Sequence, residues 1–107
     1  MELKNKRYEN IGIHVLSTIF TVDKGKIKIL LVKRTNEPFK DFWALPSGAL
    51  YNDELLCDGA KRELKEKTGI TGIDLDFSAV FDDIKRSELR RMIGISFIGV
   101  INVNGLE

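Results

Sequence analysis

Residues 48–70, GALYNDELLCDGAKRELKEKTGI, constrain this chain more than any other stretch. Gly48 opens a loop, Asn52 and Asp53 are both good helix caps, and Gly69 sits where a left-handed stop belongs, so the spacing predicts a helix over 54–67. At about 100° per residue, Leu56, Ala60 and Leu64 form one apolar stripe, with Asp58, Lys61, Arg62 and Lys65 on the far side and Glu54 near them. Glu63 does not join that outer face. It lies about 20° from Leu56, with Glu66 about 60° further round, so two carboxylates border the stripe that must be buried.

That is an expensive place for unpaired acid. A carboxylate leaving water costs several kcal/mol unless a cation compensates it, and two of them one helical turn apart repel each other. A divalent metal answers both problems. Oxygen ligands from a turn of helix, completed by water and phosphate, suit Mg²⁺ or Mn²⁺ better than Zn²⁺, for which the chain offers only His14 and Cys57, far apart in sequence. An ordinary helix in which Glu63 pairs with Lys67 and Arg62 with Glu66, both at i, i+4, is the alternative, and spacing alone does not choose between them.

The same run resembles the Nudix box: Gly, five residues, Glu, seven residues, Arg-Glu, an aliphatic residue, any residue, Glu-Glu, any residue, Gly, an aliphatic residue. Gly48, Glu54, Arg62, Glu63, Leu64, Glu66, Gly69 and Ile70 match it, and Phe42-Trp43-Ala44-Leu45-Pro46 looks like the usual entry. A pattern with so many fixed positions is far more specific than a lone glycine motif. The resemblance implies an α/β (α+β) fold with a mixed β-sheet carrying the loop and helix. It also implies a hydrolase that cleaves the diphosphate of a nucleoside diphosphate linked to another group, with ADP-ribose as one such substrate. In that reading Gly48, Glu63 and Glu66 hold Mg²⁺ (or Mn²⁺), Glu63 also orients water, and Arg62 pairs with Glu54 to brace the loop against the helix. Arg34, Trp43 and Arg86 are the candidates for contacting the nucleotide.

Two positions depart from the pattern. Ser47 stands where a second glycine is common. More consequentially, Lys67 replaces the second Glu of the Glu-Glu pair, and a protonated ammonium cannot ligate Mg²⁺. The resemblance therefore admits a second reading: a domain that binds its nucleotide without cleaving it, like the Nudix-related regulators of NAD metabolism, in which a separate part binds DNA. A non-catalytic oligomerisation module is a third.

The rest of the chain reads as scaffold. Residues 11–22 are dense in β-branched side chains on both alternating faces, as in a strand covered on both sides, and His14 within it reads as structural. Asp23-Lys24-Gly25 is a turn into a second strand over 26–34, followed by a loop over 35–41 containing Pro38. Strands are expected over 73–81 and 92–103, joined by a charged turn whose Asp82, Asp83 and Glu88 are the acids outside the box. With 17 basic against 16 acidic residues the chain is nearly neutral, which argues against nucleic acid or membrane as a partner of this domain. Its single cysteine and the lack of a long apolar run fit a soluble cytoplasmic protein. Residues 1–107 are expected to form one Nudix domain that stops short of the final strand and second helix the resemblance implies. One sheet face is then bare unless another element or a second copy, as in a homodimer, covers it.

Overall fold

The computed structural model describes residues 7, 11–37, 39–84 and 91–102. It has the expected α+β architecture, built around one strand. β1 (Gly12–Asp23) pairs along one edge with β7 (Met92–Val100) in parallel, from Gly12 opposite Met92 to Phe20 opposite Val100. Its other edge is shared: β2 (Lys26–Ile29) takes Phe20 to Asp23 and β5 (Ser47–Ala49) takes His14 to Leu16, both antiparallel. β6 (Asp76–Phe81) closes the sheet as an antiparallel neighbour of β7, with an irregularity between Phe77 and Ala79. The β1–β2 turn has Lys24 at φ 51° and Gly25 at φ 77°, the positive pair that a tight two-residue hairpin requires.

That sharing explains why residues 26–34 do not form the single strand expected of them. β5 already occupies the edge of β1 below Leu16, so the chain leaves after Leu30 donates its N–H to the Ile19 carbonyl. It re-forms as β3 (Val32–Lys33), which pairs with β4 (Trp43–Ala44) in a separate two-stranded ribbon. The expected strand over 73–81 likewise begins only at Asp76, and its partner is ordered as strand from Met92 to Val100; Val103 lies outside the described residues.

α1 (Leu56–Thr68) packs across one face of the sheet. Val15 and Ile19 of β1, Ile95 and Phe97 of β7, Ala60 and Leu64 of α1, and Leu75 form the buried core. These strand positions share one face by the two-residue period of the pleat. The other face carries Phe20, Val22, Ile27, Ile29, Ile98 and Val100 in adjoining register, and Val22, Ile27 and Val100 are 62%, 75% and 72% exposed. Among the described residues α1 is the one α-helix, and this second face is bare at its Val22, Ile27 and Val100 end, whereas Leu16, Met92 and Ser96 further along it are buried.

Candidate active site

The helix begins at Leu56, not at Glu54, and neither Asn52 nor Asp53 caps it. Its N-cap is Leu55, in an extended conformation with no side-chain cap bond. The reason is that Glu54 is committed to the loop: its Oε1 accepts the Tyr51 N–H at 2.8 Å and an Arg62 N–H at 2.7 Å, while Oε2 accepts Arg62 Nε at 2.9 Å. The other end is as expected. Gly69 adopts φ 80°, ψ −1° and donates to the Lys65 carbonyl, and the Thr68 hydroxyl bonds the Leu64 carbonyl. Asp58 in the first turn and Lys65 and Lys67 in the last complement the helix dipole.

Arg62 organises the site. Angular position alone puts it on the outer face, but its long side chain reaches back toward the start of the helix, the direction helical side chains favour, and is only 18% exposed. Nε and one terminal nitrogen grip Glu54; that nitrogen also donates to the Ala49 carbonyl at 2.9 Å. The other terminal nitrogen donates to Glu63 Oε1 at 2.7 Å and, weakly, to Glu66 Oε2 at 3.5 Å. All five guanidinium N–H donors are thus engaged, and the Tyr51 ring stacks 3.7 Å from the guanidinium carbon. The Glu54 hydrogen bond is the largest reason the Arg62 pKa is raised. Reciprocally, that bond and then the Tyr51 N–H hold the Glu54 carboxyl below the usual carboxylate range. Ala49 and Tyr51 went unnoticed as site residues; a Tyr backbone three residues before a loop Glu was the available signal.

Glu63 is buried, as its place beside the apolar stripe predicts. Its carboxyl group lies directly against Gly48, so close that a Cβ at Gly48 would run into it. Oε1 belongs to Arg62, and Oε2 is 3.8 Å from the Lys67 ammonium. Both i, i+4 pairs of the ordinary-helix alternative therefore exist, Glu63–Lys67 and Arg62–Glu66, but at 3.8 and 3.5 Å they are looser than the Arg62 contacts to Glu54 and Glu63.

Beside these acids lies a cavity of about 390 Å³ whose polar wall is Lys33, Arg34, Thr35, Asn36, Glu66 and Lys67. Arg34 is thus brought to Glu66 by the β3–β4 ribbon, whose loop closes through Arg34 N–H to the Phe42 carbonyl at 2.8 Å. Trp43 is not. It does not line the cavity, although its neighbour Ala44 does, and it is 64% exposed. His14 stands opposite Ala49 in a different cavity, with Asn52, Glu54 and Met92. Of the charged turn, Asp82 accepts an Arg91 N–H on its carbonyl at 2.7 Å, whereas Arg86 and Glu88 lie outside the described residues.

A loop glycine over a buried helix carboxylate, braced by an Arg–Glu pair and set on a mixed sheet, defines a Nudix-type domain. The chain belongs to the NUDIX domain family, whose pattern it matches over residues 13–102. It is 40% identical over 91 residues to the ADPR responsive transcriptional repressor NtrR of Acinetobacter baylyi, covering 83% of this chain and 36% of that protein. It is 38% identical over 93 residues to the ADP-ribose pyrophosphatase of Methanocaldococcus jannaschii, covering 87% of this chain and 54% of that one. The chain therefore spans between a third and just over half of these relatives. Among solved structures, a MutT/nudix family protein from Enterococcus faecalis superposes with a TM-score of 0.85 at 28% identity, covering 94% of this chain and 40% of that one. No helix among the described residues is long and apolar enough to cross a membrane.

Nudix hydrolases generally use divalent metals, and the carboxylates of Glu63 and Glu66 converge here on one Arg62 nitrogen, the place where a cation could be shared between them. Among the described residues no three His, Cys, Asp or Glu side chains cluster as a metal site. A cation would thus have two carboxylates and a main-chain carbonyl, the sparse set with which Mg²⁺ is held when water and substrate phosphate complete its shell.

Proposed function

We propose that the cleft hydrolyses the diphosphate of a nucleoside diphosphate linked to another group, ADP-ribose being the representative substrate, in a reaction that requires Mg²⁺ or Mn²⁺. The single observation behind this reading is the Glu63 carboxylate buried against Gly48 with Arg62 and Glu54 locking the loop over it. Glu63, Glu66 and the Gly48 carbonyl would hold the cation, which when bound neutralises the diphosphate and acidifies a water. Glu63 is the group nearest to orient or deprotonate that water. Arg62 and Glu54 touch no substrate; they fix the loop and aim Glu63, so their removal acts through position. Arg34, on the cavity wall with Glu66, supplies a fixed cation toward phosphate. The names of the two curated relatives support a ligand of the ADP-ribose class.

A second reading, a nucleotide receptor that does not cleave, is favoured by Lys67, whose ammonium sits 3.8 Å from Glu63 Oε2 where the family pattern has a carboxylate. Incubation with ADP-ribose, NADH and dinucleoside polyphosphates plus Mg²⁺ or Mn²⁺ separates the two. The hydrolase reading expects release of AMP or another monophosphate, abolished in Glu63→Gln. Ligand binding with no monophosphate from any of them would leave the receptor.

A further inference from the structure

We propose that Lys67 binds the diphosphate directly, so that capture of the ligand does not depend on a divalent cation even though its hydrolysis does. This rests on the reading of the cleft as a nucleoside diphosphate site, and separates two jobs that one metal would otherwise do.

Three features of the cavity carry the inference. Its wall presents three cations, Lys33, Arg34 and Lys67, against the one carboxylate of Glu66. Such a surface attracts a polyanion before any metal arrives. Second, the acids that would draw a cation in are already compensated. Glu54 and Glu63 are bound to Arg62, Glu66 leans on the same guanidinium, and the second oxygen of Glu63 faces Lys67. Third, the Lys67 contact to Glu63 is a charge contact and not a hydrogen bond, since 3.8 Å is beyond hydrogen-bond reach, and the side chain is 45% exposed. Its three N–H donors can turn toward phosphate oxygens without breaking a tight native bond. Thr35 and Asn36 add polar groups to the lining, and the cavity, at about 390 Å³, is large enough for a diphosphate with one attached group.

The test measures binding of ADP-ribose and of inorganic pyrophosphate by calorimetry, in EDTA and in Mg²⁺, for the unaltered chain and for Lys67→Met, Lys67→Arg and Lys67→Glu. Unaltered protein should bind in EDTA within about threefold of its affinity in Mg²⁺. Lys67→Met should lose about tenfold or more in EDTA, the worth of one charged hydrogen bond, and Lys67→Arg should keep most of it. Lys67→Glu should bind only when Mg²⁺ is present. Binding by the unaltered chain only with Mg²⁺, or undiminished EDTA binding by Lys67→Met, overturns the role of Lys67 and leaves the proposed hydrolysis untouched. Pyrophosphate held in EDTA while ADP-ribose is refused supports Lys67 and sinks the nucleoside reading. No binding of either probe under any condition overturns both. The half-exposed position of residue 67 makes unfolding of these variants unexpected, and circular dichroism of each checks it.

Discussion

Gly48→Ala is the most informative single change, because it tests the contact on which the site is built. Gly48 lies in β5 opposite Val15, on the face covered by α1, and an added methyl group would enter the space of the Glu63 carboxyl. That carboxyl has little freedom to retreat: its side chain is 10% exposed and Oε1 is bound to Arg62 at 2.7 Å. Restoring ordinary contact near 3.5 Å requires a retreat of about 1 Å, enough to break the Arg62–Glu63 hydrogen bond. Overpacking of this kind costs about 1–3 kcal/mol. The Ala side chain offsets about 0.5–1 kcal/mol by restricting the unfolded chain. The net is a loss of about 1–2 kcal/mol, a fall in Tm of roughly 5–10 °C for a domain of this size. Calorimetric and urea unfolding of Gly48→Ala, Glu63→Ala and the double variant form the assay. With the Glu63 carboxyl gone the methyl group has room, so the double variant should be more stable than the two single losses predict, by about 1 kcal/mol or more. Strict additivity, or a Gly48→Ala melt within about 1 °C of the unaltered protein, would refute the steric argument.

Two further outcomes follow from the same coordinates. Leu64 is fully buried between helix and sheet, so Leu64→Ala should lose about 2–5 kcal/mol in urea unfolding, and a loss well under 1 kcal/mol would mean that α1 is not clamped to β1 as described. The Glu54 carboxyl is held below its ordinary range by Arg62, so the stability it contributes is complete above the unfolded carboxylate value and disappears as pH falls through the folded one. The difference in Tm between unaltered protein and Glu54→Gln should therefore be present at about pH 7 and shrink progressively as the pH is lowered below the ordinary carboxylate range; a difference that stays constant on acidification rules the mechanism out.

What could be read from the residues was set by local period and local chemistry. Glu63 faces inward because its angle on the helix says so, and Gly69 stops the helix because only a left-handed residue fits there; β1 does carry apolar residues on both faces, but only the face toward α1 is buried along its length, the other being buried at Leu16 and open at Val22. The errors lie where a distant partner overrides local preference. Asn52 and Asp53 are capable caps, but Glu54 is taken by Arg62 eight residues on, which delays the helix. The strand over 26–34 breaks because β5, more than a dozen residues later, occupies the same edge of β1. Trp43 belongs to the entry of the motif and still does not line the cavity, although its strand partner Lys33 does. The cationic wall around Lys67 could not be read at all. It requires the end of α1 to meet the β3 end of a ribbon some thirty residues earlier.

The parallel partnership of β1 and β7 makes order of assembly a property of this fold. Gly12 and Met92 are register partners although they stand at nearly opposite ends of the described chain. Bringing such distant segments together forfeits about 4 kcal/mol of chain entropy before a single contact between them compensates it. The β1–β2 hairpin and α1 can form early from neighbours in sequence, whereas the centre of the sheet waits for the last strand to arrive. Refolding is thereby placed among the slower regimes expected of non-local β-pairing, and until β7 docks, the apolar edge of β1 stands open to any other strand it meets.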